Sequence, residues 1–363
     1  MAKSHLDTSL TILMPLKDRA HYTARMLGYY NTLQCPFKFL IADGGSHEPL
    51  REILRKQEFL DSLHYGYVEY PYDEDLTDYH TKMADVVDKI DTPFALVMDN
   101  DDFFFITAAY ENMNFLINNP GYASSRGALN QIGVSEKVYG KLRLGPDLYT
   151  LYPDSITGTT AAERILDQSK HFHSNWHNVT RSEYIQVAYK LNALANPSNF
   201  RFTEQIISYL NILWGNGNRQ GDLFLLHQIA TPRTTKGNHF PPQKEWINSD
   251  YWVNDFSRMT DVIAAAMSHC DGIDIATAQE SFRSAYVHKL PNQEDLLREK
   301  YEECKKIDNS DLIAKTLETL DKYDLKNHSS PTPFQVLTKS HQELQMVSLF
   351  LGTNTNDQPV SSE

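Results

Sequence analysis

The chain has 363 residues, of which 41% are hydrophobic and 22% are charged, and its formal net charge is −13. This composition is ordinary for a soluble globular protein of one large or two smaller domains. The acidic balance and the lack of a basic stripe exclude nucleic acid or an anionic membrane as the main partner. Three widely separated cysteines, Cys35, Cys270 and Cys304, predict reduced thiols and not a disulfide framework.

The sequence indicates a cytoplasmic protein. The first ten residues, MAKSHLDTSL, lack the apolar segment of a signal peptide, and no apolar run reaches the length of a membrane span. We therefore expect no transmembrane span. A peripheral position at the inner face of the membrane stays open.

Strands and helices alternate in the first hundred residues. Apolar runs predict strands at 10–16, 37–43, 63–70 and 93–99, and helical periodicity predicts helices from Asp18 onward, at 48–60 and at 76–90. Asp18 is the predicted N-cap of the first helix. This alternation is typical of βαβ units, and hence of a mostly parallel sheet flanked by helices.

The pattern becomes less regular after residue 106. We predict a helix at 106–119, antiparallel strands within 122–144, and a long, partly ordered excursion over 145–180. Further helices are predicted at 180–194, 202–215, 257–270, 293–306, 310–323 and 333–351. The last four helices define a helical C-terminal subdomain over 241–350, followed by a disordered tail at 351–363.

Polar residues follow each predicted strand, where ligands of open α/β sheets bind. The fourth strand runs directly into DNDD, so that Asp99, Asp101 and Asp102 lie within four residues. One carboxylate could cap the next helix, but three exceed that need. Like charges this close require a neutralising group, and a hard divalent cation shared with substrate phosphates would supply one.

Three motifs occur in order: TILMPLKDR, FLIADGGS and TPFALVMDNDDFF. Together they resemble the nucleotide-binding half of the family-2 nucleotide-sugar glycosyltransferases, which have a GT-A fold. The stretch LKDRAHYTARMLGYYNTLQCPFKFLIADGG resembles a bacterial subgroup that acts in surface-glycan synthesis. The resemblance implies a GT-A domain over 1–240, with a nucleotide-binding half at 1–105 and an acceptor half at 106–240.

The resemblance also implies which residues bind the nucleotide. Pro15, Lys17 and Arg19 match the first-strand motif that borders the nucleotide. Asp43 matches the acid that accepts a hydrogen bond from the base, usually uracil. Lys82 lies where many relatives carry a basic residue, so it is either a diphosphate contact or a solvated helix lysine.

The DNDD segment matches the family's D-x-D motif. By this match Asp99 contacts ribose or metal-bound water, Asp101 holds Mn²⁺ or Mg²⁺ on the diphosphate, and Asn100 lies between them. Asp102 is an additional acid. His239, in TTKGNHF, is a candidate third metal ligand on a loop.

The catalytic base is expected from the second half. Glu204, in FRFTEQIISYLNILWGNGN, matches the family acid that opens a helix, although relatives often show Glu-Asp where this chain has Glu204-Gln205. Asp222 is the alternative candidate for the base. Its competing interpretation is a turn acid at the edge of a strand. An inverting reaction is implied by the resemblance alone.

The segment HFHSNWH contains three histidines and a tryptophan. His171, His173 and His177 would need a fourth ligand to bind zinc, and no cysteine lies nearby, so zinc is disfavoured. Trp176 is interpreted either as a platform for an acceptor sugar or as ordinary packing.

The predicted function is therefore the metal-dependent transfer of a sugar from a nucleotide-diphosphate donor, with uridine as the expected nucleoside, to a hydroxyl of a glycan, a lipid-linked acceptor or a protein.

 The helical C-terminus is a candidate surface for a homodimer or another partner. Two alternatives stay open: a sugar nucleotidyltransferase, and a non-catalytic module that binds sugar nucleotides or glycans. A nucleotidyltransferase would usually carry a Gly-rich loop after the first strand, and LKDRAHYT has no glycine.

Overall fold

The computed structural model describes residues 8–45, 50, 52, 63–134, 142–144, 154–219, 221–229 and 241–325. Two predicted helices, 48–60 (apart from Leu50 and Glu52) and 333–351, lie outside these ranges, as does the predicted tail at 351–363. The described strands are β1 (Leu10–Leu16), β2 (Lys38–Asp43), β3 (His64–Glu69), β4 (Phe94–Val97), β5 (Phe103–Phe104), β6 (Tyr122–Ser125), β7 (Ala128–Val134), β8 (Leu142–Leu144), β9 (Val179–Arg181), β10 (Asn216–Asn218) and β11 (Leu223–Ile229).

The described helices occupy both halves of the chain. They are α1 (Ala20–Thr32), α2 (Leu76–Val86), α3 (Ile106–Asn118), α4 (Ala161–Lys170), α5 (Ser182–Ala195), α6 (Phe200–Leu210), α7 (Gln243–Ile247), α8 (Trp252–Asp271), α9 (Ile275–Val287), α10 (Glu294–Cys304) and α11 (Ser310–Leu320). None of them is both long enough and apolar enough to cross a membrane.

Seven strands form the main sheet, in the order β10-β6-β9-β4-β1-β2-β3. Strands β4, β1, β2 and β3 are parallel, whereas β9 runs antiparallel to both β4 and β6. Strand β10 is parallel to β6. The mostly parallel sheet flanked by helices confirms the predicted fold class.

Strands β1, β2 and β4, in the middle of the main sheet, are buried on both faces, which explains their nearly continuous apolar sequences. In β1, Leu13 packs in one hydrophobic core, while its neighbours Ile12 and Met14 pack in the other. Side chains alternate between the faces of a strand, so a strand covered on both sides needs apolar residues at successive positions.

A second sheet, in the order β5-β11-β7-β8, lies alongside the first. The antiparallel pairing predicted within 122–144 is confirmed for β7 and β8. Strand β6, however, belongs to the main sheet, and β7 is parallel to β11. Pairing with distant strands therefore overrides the local hairpin pattern.

Two local predictions are wrong. The excursion predicted over 145–180 contains helix α4 and strand β9; a capping box between Thr160 and Glu163 begins the helix. The N-cap of α1 is Arg19 and not Asp18, and it forms no side-chain capping bond. The Asp18 carboxylate instead accepts a hydrogen bond from the Tyr72 hydroxyl at 2.9 Å.

The C-terminal helices share a core with the α/β part of the chain. Phe256 of α8, Leu297 of α10 and Leu320 of α11 belong to the same cluster of buried residues as Leu13 and Val97 of the main sheet. The helices therefore pack on the sheet's helical layer through continuous apolar contact.

Candidate functional site

Polar side chains gather at one edge of the main sheet, where β1, β2 and β4 end and β9 begins. Lys17–Arg19 follow β1, Asp43 ends β2, and Asp99–Asp102 follow β4. Because β9 runs in the opposite direction, the residues that precede it, including His177, lie at this same edge. The sheet topology thus brings together segments from both halves of the chain.

Asp102 forms a cluster with two histidines. Its buried carboxylate lies 2.9 Å from Nδ1 of His227 and 3.4 Å from Nε2 of His177, and it also accepts the N–H of Gln228. The ligand atoms of the three residues lie within 4.8 Å of one another. Two imidazoles and a carboxylate are a common donor set for divalent transition metals.

The orientation of His177 fits a metal-binding role. Its Nδ1 lies 2.9 Å from the carbonyl oxygen of Val97, which can only accept a hydrogen bond. Nδ1 therefore carries the proton, and in the neutral ring Nε2 presents its lone pair towards Asp102. A backbone carbonyl that fixes the tautomer is the usual partner of a metal-binding histidine.

Asp99 lies beside this cluster, whereas Asp101 pairs with the side chain of an arginine. The Asp99 carboxylate lies 3.7 Å from Nε2 of His177 and keeps 44% of its side chain exposed. Asp101 forms an ion pair of 2.9 Å with the Arg19 guanidinium, which also bonds the Asn100 side chain. Asp102, rather than Asp101, is therefore the acid that meets the two histidines.

Burial and neighbouring charges shift the pKa values of His227 and Asp99. Burial lowers the pKa of His227, but the hydrogen bond and charge of Asp102 outweigh it and raise that pKa to about 9. Desolvation and the carboxylates of Asp102 and Asp101 raise the pKa of Asp99, against the influence of His177. Without a metal, the His227 imidazolium thus compensates the Asp102 charge; a cation bound here would replace that proton.

Backbone strain positions Arg19. Asp18 and Arg19 both adopt left-handed conformations, with φ of 54° and 55°. Such conformations cost about 1 kcal/mol or more in residues other than glycine and cluster at functional sites. Here they end β1 abruptly and allow the guanidinium to reach Asn100 and Asp101.

Lys82 is buried, which rules out the interpretation of this residue as a solvated helix lysine. Its side chain is 2% exposed, and Nζ bonds both the Asp73 carboxylate and the carbonyl oxygen of Leu16, 2.9 Å away. Burial lowers the pKa of Lys82, while Asp73 opposes this effect. Lys17 donates to the backbone oxygen of Asp73 and lies over the Tyr72 ring.

Asp43 is buried and already accepts two hydrogen bonds. The N–H of Gly45 donates to it over 3.0 Å, and the hydroxyl of Tyr67 donates to its other oxygen. Pro15 pairs with Ala42 of β2, one position before the end of both strands. Both residues therefore lie at the edge predicted to bind the nucleotide, and their contacts with a base stay predictions.

The two candidate bases lie in different surroundings. Glu204 is half-buried on α6 and acts electrostatically on Arg201 and Lys289. Asp222 is exposed in the turn before β11, and its backbone oxygen accepts the N–H of Ala128 over 2.9 Å. The third candidate ligand, His239, lies outside the described residues.

The segment HFHSNWH is divided between two environments. His177 joins Asp102 and His227, whereas His171 and His173, the other histidines of the segment, belong to no such cluster among the described residues. Trp176 is buried against Tyr189 and Phe200, so ordinary packing is the correct interpretation. The sequence analysis did not identify His227, whose one signal is its position as a polar residue within the apolar strand LFLLHQI.

Solved structures that resemble this chain include GT-A glycosyltransferases. TarS 1–349 of S. aureus, in complex with UDP-GlcNAc, aligns with a TM-score of 0.51 and 11% identity, covering 86% of this chain and 80% of that one. The mannosyltransferase PcManGT of Pyrobaculum calidifontis, in complex with GDP-Man and Mn²⁺, aligns with a TM-score of 0.40 and 11% identity over 96% of this chain and 86% of that one. No family model and no curated protein matches the sequence.

The sheet order and the first of these alignments define the class of fold. The chain has a GT-A fold, in which the parallel strands β3, β2, β1 and β4 form the first half. At identities this low, the likeness establishes the fold and leaves the reaction to the residues of the site.

Proposed function

We propose that the protein is a metal-dependent glycosyltransferase that moves a sugar from a nucleotide-diphosphate donor, with uridine as the nucleoside, to a hydroxyl acceptor. The observation that carries the proposal is the cluster of Asp102, His177 and His227 at the carboxyl edge of the parallel strands. Asp99 lies beside it on the exposed side. The complex of TarS with UDP-GlcNAc supports a uridine-linked donor.

The residues of this cluster fit a divalent cation. The Val97 carbonyl fixes the tautomer of His177, and the Asp102 carboxylate faces both imidazoles. Mixed nitrogen and oxygen ligands suit Mn²⁺ better than Mg²⁺, which prefers oxygen. A cation bound here would act as a Lewis acid on the diphosphate leaving group.

Other side chains have separate roles in the proposal. Lys17 and Arg19 contribute positive charge beside the diphosphate, and Asp43 accepts a hydrogen bond from the base. Glu204 removes the proton of the acceptor hydroxyl while the hydroxyl oxygen attacks the anomeric carbon. We infer that the reaction is a single displacement, which inverts the configuration of the anomeric carbon. Asp222 is the alternative base.

Nucleoside diphosphate release tests the proposal. The protein is incubated with a panel of sugar nucleotides, with and without Mn²⁺, and release of the diphosphate is measured. We expect metal-dependent release from at least one donor. Release of pyrophosphate from a nucleoside triphosphate and a sugar phosphate would instead support a nucleotidyltransferase.

Matched variants test the base. Glu204→Gln should lower turnover by at least about 100-fold, because general-base catalysis contributes this much, while leaving donor binding intact. Asp222→Asn is the matched control, with turnover close to that of the wild type. The reverse pattern would transfer the role to Asp222.

A further inference from the structure

Two buried arginines lie at the same sheet edge, beyond the metal cluster. Arg126 follows β6 and Arg219 follows β10, and these strands are parallel to each other. The order β10-β6-β9-β4 places β6 two strands away from β4. Neighbouring strands lie about 4.8 Å apart, so Arg126 is roughly 10 Å along the edge from the aspartates that follow β4.

Within the described ranges, each guanidinium has at least one N–H donor without a hydrogen-bond acceptor. Arg126 is 4% exposed and donates from Nη1 to the Ser174 carbonyl over 3.1 Å, but its buried Nε has no partner among the described residues. Arg219 is 1% exposed and donates from Nη2 to Gln168, to Asn175 and to the His173 carbonyl, but its buried Nε and Nη1 have no partner within the part of the chain that the structure describes. A buried donor without a partner destabilises the folded state, and it does so more strongly when the group is charged.

Arg164 shows what a purely structural buried arginine looks like in this chain. Its Nε donates to the Ile212 carbonyl over 2.7 Å, its Nη1 to the Gly158 carbonyl over 2.9 Å, and its Nη2 to the Leu213 carbonyl. Tethering backbone carbonyls therefore satisfies that guanidinium. The incomplete bonding of Arg126 and Arg219 needs a different explanation.

The surroundings of the two arginines are positively charged. Burial and, to a smaller extent, the charge of Arg126 lower the pKa of Arg219 to about 9, against the opposing charge of Asp167. Burial and then the charges of Arg219 and Arg126 lower the pKa of His173 to about 4. In a chain of net charge −13, this local concentration of cations is a specific feature.

We propose that Arg126 and Arg219 bind an anionic group, a phosphate or a carboxylate, of the acceptor. The planar guanidinium matches either group in a bidentate arrangement, which would satisfy the unpartnered Nε and Nη1 donors. This inference rests on the proposed function, because it places the anion on the acceptor side of the donor diphosphate. The acceptor is thus an anionic glycan or another phosphorylated or carboxylated alcohol.

Thermal unfolding of the protein saturated with UDP and Mg²⁺ tests this inference. UDP occupies the donor site, so an additional response to inorganic phosphate or to acetate, at constant ionic strength, reports a second anion site. We expect one of the two anions to raise the Tm by about 2 °C or more. The responding anion distinguishes a phosphate from a carboxylate, and no response to either would overturn the inference.

Three variants locate the site. Arg126→Gln removes the hydrogen bond to the Ser174 carbonyl and should lose the anion response, and Arg126→Lys should retain part of it. Arg298→Gln removes an exposed arginine paired with Glu294 and should respond like the wild type. An unchanged response in Arg126→Gln would overturn the inference.

The two proposals fail in different ways. If UDP binds and donor turnover occurs without any anion response, the acceptor inference alone is overturned. If the anion response depends on Arg126 but no sugar nucleotide is turned over, an anion site exists without the proposed transferase, and the inference about the acceptor is overturned with it.

Discussion

Lys82 and Asp73 form a buried ion pair next to Gly44, at the end of β2. Their side chains are 2% and 4% exposed, and the ammonium also bonds the Leu16 carbonyl at the end of β1. The pair therefore connects α2 to the ends of two parallel strands. It holds the loops that border the proposed nucleotide site.

Removing one partner of this pair should destabilise the protein. Lys82→Met leaves the Asp73 carboxylate buried without its counter-ion, which typically costs about 3–5 kcal/mol. Urea denaturation measures the loss. The double variant Lys82→Met with Asp73→Leu should recover part of it, because neither charge is then buried alone; a double variant as unstable as the sum of the singles would contradict this account.

Gly44 should tolerate no side chain. A Cβ atom at this position would overlap the Asp73 carboxylate and the Lys82 ammonium. Gly44→Ala should therefore lower both the free energy of unfolding, by about 1–3 kcal/mol, and the affinity for UDP. Gly66→Ala in β3 is the matched control, because the one described neighbour that its Cβ would meet is Leu40 at 3.5 Å, an ordinary contact.

His80 should make the protein sensitive to acid. Its buried ring bonds Asn196 and Thr203, and burial lowers its pKa from 6.5 to about 4. The unfolded chain therefore binds a proton that the folded state excludes, so stability present above pH 6.5 is lost as the pH falls towards 4. The contribution is up to about 3 kcal/mol.

Denaturation at several pH values measures this effect. His80→Gln should reduce the slope of stability against pH between 6.5 and 4, whereas the control His288→Gln, at an exposed position, should not. Equal slopes in the wild type and His80→Gln would show that another group is responsible.

The two histidines of the cluster should each be needed for metal affinity. His177→Ala or His227→Ala removes a ligand and should weaken Mn²⁺ binding by at least about tenfold, as measured by calorimetry. His288→Ala is the matched control. Affinities unchanged in both cluster variants would place the ion elsewhere.

Much of the fold follows from local patterns. β1, β2 and β4 were predictable because a strand buried on both faces is apolar at every position, and this pattern needs no knowledge of its neighbours. Helix α4 was missed in a polar region, although Thr160 and Glu163 carry the spacing of a capping box. The pairing of β6 and β7 with distant strands has no local signal.

The site was predictable only in part. The aspartates that follow β4 are conspicuous because three acids end an apolar run. His227 is 125 residues from Asp102, and His177 is 80 residues from Val97, so only the folded sheet brings them together. A single histidine in a strand or loop carries no mark of such a contact.

Diffraction from crystals soaked with Mn²⁺ and UDP tests the central claim most directly. The account predicts an anomalous peak bounded by the Asp102 carboxylate and the ring nitrogens of His177 and His227, in contact with the diphosphate. A map in which these three side chains remain bonded to one another, with the manganese elsewhere or absent, would contradict it.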